Sequence, residues 1–153
     1  MDVFDFLRAG DYVFHDKFAP GLSSEQKRTL YLKNFSAHTF VTGTNAVTMD
    51  GKLFNIDGNG NRVAPIIYGP EQVIVIIGTN KIVPTVEQAI ARTRQIAAPR
   101  DAARLKKDTP CVALGRCVDC NHKQRICNDF VLITGQFIEN RIKVLILDEA
   151  LGY

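Results

Sequence analysis

The stretch GTNAVTMDGKLFNIDGNGNRVAPIIY, residues 43–68, decides how this chain folds, because it sets turn residues between short apolar segments. Its Asp50-Gly51 pair predicts a tight turn that joins two short strands, Ala46–Thr48 and Leu53–Ile56, into a hairpin. A second turn-forming run begins at Asp57 and leads into another apolar segment. We therefore expect a hairpin followed at once by a glycine-rich loop.

That loop reads Asp57-Gly58-Asn59-Gly60-Asn61-Arg62. Glycines allow positive φ and close approach of a ligand, and successive backbone N–H groups in such a loop can form a concave anion site. A following helix amino terminus would strengthen the site, and Arg62 would add a planar positive fork. A turn that binds nothing has the same composition, because a glycine-rich loop alone is a weak signal.

Length and composition describe one ordinary globular domain, residues 1–153. The net charge of +3 gives no indication of a nucleic-acid partner. No apolar run reaches the roughly 20 residues of a membrane helix. The amino terminus lacks the basic region of a signal peptide, so we expect a cytoplasmic protein with no membrane partner.

The apolar run Val73–Ile77 predicts a strand of a parallel sheet that helices cover on both faces. We expect Phe130–Thr134 and Ile142–Leu147 in the same sheet, with a helix over residues 85–98 packed against it. The fold class is therefore three-layer α/β with a mostly parallel sheet. Smaller elements are also predicted. One helix covers residues 2–9, and a second begins at the Ser23 capping box. Two further helices cover Arg62–Tyr68, with an interruption near Pro65, and Arg100–Lys107, after Pro99 closes the preceding helix; residues 12–14 form a strand and Cys111–Cys127 an irregular loop.

All four cysteines of the chain lie in that loop, as Cys111, Cys117, Cys120 and Cys127. The Cys117-x2-Cys120 spacing can place two thiolates on one metal, and the outer pair would complete a four-thiolate site for zinc or an iron–sulfur cluster. Buried free thiols or a redox disulfide between Cys117 and Cys120 are the alternatives. His122 is a conceivable substitute ligand. Seven Lys or Arg against three Asp between Pro99 and Cys127 would offset an anionic metal site.

Several separate motifs resemble those of the lactate-utilisation (LUD) domain family. They are Gly43-Thr44-Asn45-Ala46-Val47-Thr48 with the Asp50-Gly51 turn and the loop to Val63, Tyr68-Gly69-Pro70, Gly78-Thr79-Asn80-Lys81, Ala98-Pro99, Thr109-Pro110-Cys111, Gly115-x-Cys117-x-Asp119-Cys120, Arg125-Ile126-Cys127-Asn128 and the carboxyl end from Glu149. The cysteine motifs are similar to those of a stand-alone subgroup. The resemblance implies the fold of sugar-phosphate isomerases and CoA transferases.

The resemblance also implies a role in oxidising lactate to pyruvate beside iron–sulfur partner proteins. We expect a small carboxylate or phosphate ligand on Gly43, Thr44 and Asn45 and on the loop residues Gly58, Asn59, Gly60, Asn61 and Arg62. Asp57 is the loop carboxylate placed for proton transfer, and capping of the following glycine turn is its alternative role. Arg62 is alternatively a structural residue that is buried and paired with Asp57 across the turn. Lys81 matches the lysine after the next strand in the isomerases. Isomerase activity itself is disfavoured, because the carboxylates and loop lysine of a pentose-phosphate isomerase are missing. A non-catalytic four-cysteine metal-binding or partner-docking subunit is the other alternative.

The resemblance also reveals a departure. Family members carry about 50 more residues before the equivalent of Asp2, an estimate of what one βα unit and a leading helix need. A sheet without that unit exposes strand edges and apolar side chains. We therefore expect an amino-terminally short domain that self-associates as a homo-oligomer.

Overall fold

A computed structural model describes residues 3–153, so the predicted helical position of Asp2 lies outside the described residues. Helices and strands are interspersed along the chain. In order they are α1 (Val3–Ala9), α2 (Ser24–Lys33), β1 (Thr39–Thr42), β2 (Ala46–Thr48), β3 (Leu53–Asp57), α3 (Val63–Ile67), β4 (Gln72–Gly78), β5 (Ile82–Val83), α4 (Val86–Arg92), α5 (Ala98–Arg104), α6 (Pro110–Leu114), β6 (Asp129–Ile133) and β7 (Ile142–Leu147), with short 3₁₀ turns at Asn34–Ser36 and Thr79–Lys81 and a π-helical turn at Thr93–Ala97.

The strands form two sheets. The first has the order β1-β4-β7 and both of its pairings are parallel. The second has the order β5-β2-β3-β6, in which only β2 and β5 pair in parallel. Parallel pairing therefore predominates, and the predicted α/β class is confirmed.

The predicted hairpin forms as expected, with β2 antiparallel to β3. All five residues of β3 are buried, because β2 and β6 flank it and helix α4 packs on it through Ala89. A second core joins the two sheets and α3; its buried members are Val47, Leu53, Ile66, Val73, Val75 and Ile77. The stretch quoted at the outset thus contributes to both cores.

Two expectations about the central sheet are wrong. β6 lies in the second sheet beside β3, because Asn128 donates its backbone N–H to the Asp57 carbonyl at 2.9 Å and so starts β6 where β3 ends. The helix after Thr85 packs on the second sheet, against Ala46, Phe54 and Ile56, and not on the sheet that holds β4.

Burial of β4 also differs from the prediction. Val73, Val75 and Ile77 are fully buried, whereas Ile74 and Ile76 on the opposite face are only partly buried. Cover on the face that holds Ile74 and Ile76 is therefore incomplete in residues 3–153. Self-association through incompletely covered surfaces stays a prediction.

Proline behaves differently from the sequence expectation at two places. Pro65 does not interrupt α3, because it lies in the first turn, where its missing N–H is not needed. Pro99 does not close a helix, because α4 continues into the π-helical turn and α5. In that wide turn Ala98 donates to the Thr93 carbonyl, and the looser geometry relieves the clash that a proline ring makes in a regular α-helix.

Three smaller expectations are settled by the structure. Ser23 and Gln26 form the predicted capping box of α2. Tyr12 and Val13 are exposed and form no strand, because no neighbouring chain pairs with them. The cysteine segment is not wholly irregular, since Pro110 opens the short helix α6 and Gly115 ends it with φ 68°.

Candidate functional site

The three strands of the first sheet run parallel, so their carboxyl ends meet at one edge. Residues 43–45 follow β1, the turn Thr79–Lys81 follows β4, and residues 148–153 follow β7. We call these three segments the carboxyl edge. In open α/β sheets this is the edge at which ligands bind.

Asn45 connects the carboxyl edge to the rest of the predicted site. Its Oδ1 accepts hydrogen bonds from the Ile56 N–H at 3.0 Å and from Arg62 Nη2 at 2.9 Å. Its backbone carbonyl accepts from Arg92 Nη1 at 2.7 Å. One asparagine therefore holds two guanidinium groups, and Arg92 joins the site although the sequence did not indicate it.

Asp57 is engaged on both of its oxygens. Arg62 Nε donates to Oδ1 at 3.2 Å, and the backbone N–H groups of Arg62 and Val63 donate to Oδ2 at 3.0 and 3.3 Å. Both side chains of the ion pair are largely buried, with exposed fractions of 10% for Asp57 and 22% for Arg62. The carboxylate thus caps α3 and orients Arg62, an arrangement that favours a positioning role over proton transfer.

Lys81 is the cation at this edge that lacks a partner. No hydrogen bond or ion pair joins its amine to any other residue of the described chain, 3–153. Burial lowers the pKa of the Lys81 amine, and the nearby Arg92 and Arg62 lower it further. Two glycines flank the amine, since a Cβ added at Gly152 would lie 3.4 Å from Nζ and one at Gly43 would lie 3.9 Å from it. The positive charge of Lys81 therefore lies close to neighbouring atoms and to two arginines, and it has no counter-ion among residues 3–153.

The carboxyl-terminal residues fold against the end of β4. The Thr79 N–H donates to the Glu149 carbonyl at 3.0 Å, and Asn80 exchanges hydrogen bonds with Leu151 and Gly152, each at 3.1 Å. Gly152 is thereby held beside the Lys81 amine. The tail thus forms one wall of the site, which the sequence analysis did not expect.

Lys17 is a second cation that sequence reasoning missed. Crowding by surrounding atoms lowers the pKa of its amine, and Arg62 acts in the same direction while Asp57 opposes them. Solvent still reaches much of this side chain. No local motif could have identified it, because the chain brings it to Arg62 from 45 positions earlier.

The remaining predicted ligand residues have different surroundings. Thr44 is buried, and its hydroxyl donates to the Asn55 side chain at 3.0 Å, which ties the carboxyl edge to β3. Asn59 is exposed and Asn61 is partly buried. A Cβ added at Gly58 would lie 3.4 Å from the carbonyl oxygen of Ile126 in the cysteine loop. Gly60 has φ 74°, and its carbonyl accepts the Ala64 N–H at the start of α3. The structure therefore gathers Gly43, Asn45, Arg62 and Lys81, while the 58–61 segment shapes the loop.

The four cysteines come together, although no disulfide joins them. All four are partly buried and line one cavity beside α5. Within residues 3–153, no three or more His, Cys, Asp or Glu side chains are arranged to hold a single metal ion. His122 does not line the cavity, and its Nδ1 accepts the Gln124 N–H at 3.2 Å.

No helix within residues 3–153 is long and apolar enough to span a bilayer.

Comparison with known proteins identifies the chain's relatives. The sequence profile described as the LUD domain matches residues 1–147. The crystal structure of a DUF162 family protein from Deinococcus radiodurans, determined at 1.70 Å resolution, is similar with a TM-score of 0.41 and 16% sequence identity. The match covers 76% of this chain and 57% of that one, so this chain spans little more than half of that structure. No curated protein matches the sequence.

Proposed function

Because the chain belongs to the LUD domain family, which is linked to lactate utilisation, we propose that it binds a small organic anion of that metabolism at the carboxyl edge. Lactate and pyruvate are the ligands that the family membership favours. Inorganic phosphate is also an anion, and it tests how selective the site is for carboxylates.

The observation that carries this proposal is the unpaired amine of Lys81. A cation that is partly removed from water loses hydration, and a second and third positive charge nearby add to that cost. Arg62 and Arg92 supply those charges. A bound carboxylate would offset the repulsion and would accept charge-assisted hydrogen bonds, each worth about 1.5–3 kcal/mol.

Asp57 has a supporting role in this proposal. Its oxygens hold Arg62 and the first turn of α3, so Arg62 is already oriented before a ligand arrives. Fixing a binding group in advance lowers the entropy cost of binding. We therefore assign Asp57 to positioning, and Lys81 to ligand contact.

We propose that the protein takes part in lactate oxidation by binding the organic anion. Oxidation of lactate to pyruvate releases two electrons and two protons, and an iron–sulfur partner protein is the proposed acceptor of the electrons. The sugar-phosphate isomerase alternative gains no support, because Asp57 is engaged with Arg62 and residues 58–62 contain no second carboxylate.

Calorimetric titration with lactate, pyruvate and phosphate tests the proposal. We expect the Lys81→Ala variant to bind its preferred anion about 10- to 100-fold more weakly than wild type, as loss of one charge-assisted bond requires. Lys52→Ala is the matched control, because Lys52 lies in the β2–β3 turn and pairs there with Asp50. Equal affinity in wild type and Lys81→Ala, or no binding of any of the three anions, would refute it.

A further inference from the structure

The cysteine loop forms a second site that is distinct from the carboxyl edge. We propose that Cys111, Cys117, Cys120 and Cys127 together ligate an iron–sulfur cluster, on the basis that all four line one cavity whose other walls are mostly apolar and whose lining includes a buried donor without a partner, Arg125 Nε. This inference does not depend on anion binding at Lys81.

The cavity has the composition of a shielded metal centre. Besides the cysteines, Thr109 and Arg125, its lining consists of apolar side chains; these belong to Ala98, Pro99, Ala102, Val118 and Ile126. An apolar surround excludes water and controls the potential of a bound cluster. Pro99 lines this wall because the π-helical turn before it lets the helix continue.

The arrangement of the cysteines favours a cluster over a single zinc ion. Four thiolates on one zinc must all stand about 2.3 Å from the same ion. Within residues 3–153, no three His, Cys, Asp or Glu side chains are placed for one ion, although all four cysteines line one cavity. In a cluster each cysteine binds a different iron or shares one with a single other cysteine, so the sulfurs stand further apart.

Hydrogen-bond donors already face the sulfur atoms. The Asp119 N–H lies 3.4 Å from Cys117 Sγ, in a turn that puts Asp119 at φ 51°. The Thr109 hydroxyl lies 3.3 Å from Cys111 Sγ. Arg94 pairs with Asp119 at 2.5 Å and so holds the turn between Cys117 and Cys120. Such donors stabilise thiolates and tune cluster potentials.

Arg125 supplies the remaining feature. Its guanidinium donates to the carbonyls of Cys120 at 2.9 Å and Cys127 at 2.6 Å, which joins the two chain segments that carry these ligands. Its Nε is buried and has no acceptor among residues 3–153. A buried donor without a partner is destabilising, because it has given up its hydrogen bond to water. A sulfide or thiolate of the cluster would supply the missing acceptor, and the positive charge would offset the negative cluster.

The loop is anchored independently of any cofactor. Asn128 donates through its backbone N–H to the Asp57 carbonyl at 2.9 Å and through Nδ2 to the Gly58 carbonyl at 2.8 Å. Cys127 is therefore fixed next to the end of β3. The ligands are held near their final positions, which reduces the ordering that cluster assembly requires.

The test is anaerobic purification of the full chain, followed by reconstitution with ferrous iron and sulfide. We expect wild type to contain iron and acid-labile sulfide in similar amounts, with a visible absorbance that dithionite bleaches. Cys117→Ala and Cys120→Ala should lose most of both. Val112→Ser is the control, because Val112 is exposed on α6 and does not line the cavity.

Other outcomes decide against the cluster. Wild type that takes up zinc but no sulfide-bound iron would show a mononuclear site, and wild type that takes up neither would show four free thiols or a disulfide pair. Either result overturns the proposal, and both are read on the wild-type protein, so a variant that fails to fold does not obscure them.

Discussion

The two ends of the three-stranded sheet hold buried cations in opposite conditions. At the amino end, just before β7, Arg141 is 4% exposed and donates to three backbone carbonyls: those of Ile66 at 2.7 Å, Pro70 at 2.8 Å and Pro65 at 3.1 Å. At the carboxyl end, Lys81 is partly buried between two arginines and no residue of the described chain accepts its protons.

The two cations differ in whether the chain supplies acceptors for their N–H groups. Arg141 is satisfied entirely by the carbonyls at the end of α3 and before β4, so it joins chain segments and leaves nothing for a ligand. Lys81 has no such acceptors, so its partly buried charge is not offset by hydrogen bonds to the protein. We infer that Arg141 stabilises the fold because its guanidinium is hydrogen-bonded to the chain, whereas Lys81 is available to bind a ligand because its amine has no acceptor among residues 3–153.

Replacing Arg141 by alanine should have the largest effect on stability. The change leaves three buried carbonyls without donors, and each lost bond to a charged group is worth about 1.5–3 kcal/mol before relaxation. We expect a loss of about 3–5 kcal/mol in the free energy of unfolding, measured by urea denaturation. A loss under about 1 kcal/mol would show that water replaces the guanidinium, and would remove the contrast with Lys81.

Gly78→Ala should have an intermediate effect. A Cβ at this position would lie 2.3 Å from the Glu149 carbonyl oxygen and 2.4 Å from the Leu151 nitrogen, so the carboxyl-terminal tail must move. We expect a stability loss of about 1–3 kcal/mol, as for other overpacked sites. Protease cleavage after residue 148 should become faster in the variant. Unchanged cleavage would mean that the tail does not pack on β4.

Lys81→Ala should change stability least, within about 0.5 kcal/mol at neutral pH. The pKa of Lys81 in the folded protein lies below its ordinary value of 10.5. At pH values between the folded-state pKa and 10.5, Lys81 is protonated more fully in the unfolded chain than in the folded protein. The free energy of unfolding of the wild type should therefore rise with pH in that window. The variant should lack that rise in urea titrations at alkaline pH. A loss of several kcal/mol at neutral pH would mark Lys81 as architecture.

Local patterns were enough to predict much of the fold. The Asp50-Gly51 turn fixed the β2–β3 hairpin, the Ser23 capping box fixed the start of α2, and the apolar run of β4 fixed the centre of the first sheet. Each depends on neighbouring residues, whose turn chemistry or periodicity is visible in the sequence.

Features that depend on distant partners could not be predicted in this way. The placement of β6 in the second sheet depends on Asn128 binding the end of β3, about 70 positions earlier. The continuation of the helix past Pro99 depends on a π-helical turn that no local motif announces. Of the residues gathered at the carboxyl edge, sequence motifs had indicated Asn45, Arg62 and Lys81 as candidates, whereas the contacts of Arg92 and of the carboxyl-terminal tail required the tertiary structure.

The most direct test of the central claim is the pKa of the Lys81 amine, measured by NMR on lysine-labelled protein with and without pyruvate. Loss of the signal in Lys81→Arg assigns it. We predict a pKa below 10.5 in the free protein, because burial and Arg92 disfavour the charge, and a rise on saturation with pyruvate, because a nearby anion favours it. An ordinary lysine pKa in the free protein, or a pKa that pyruvate does not move, would contradict the account.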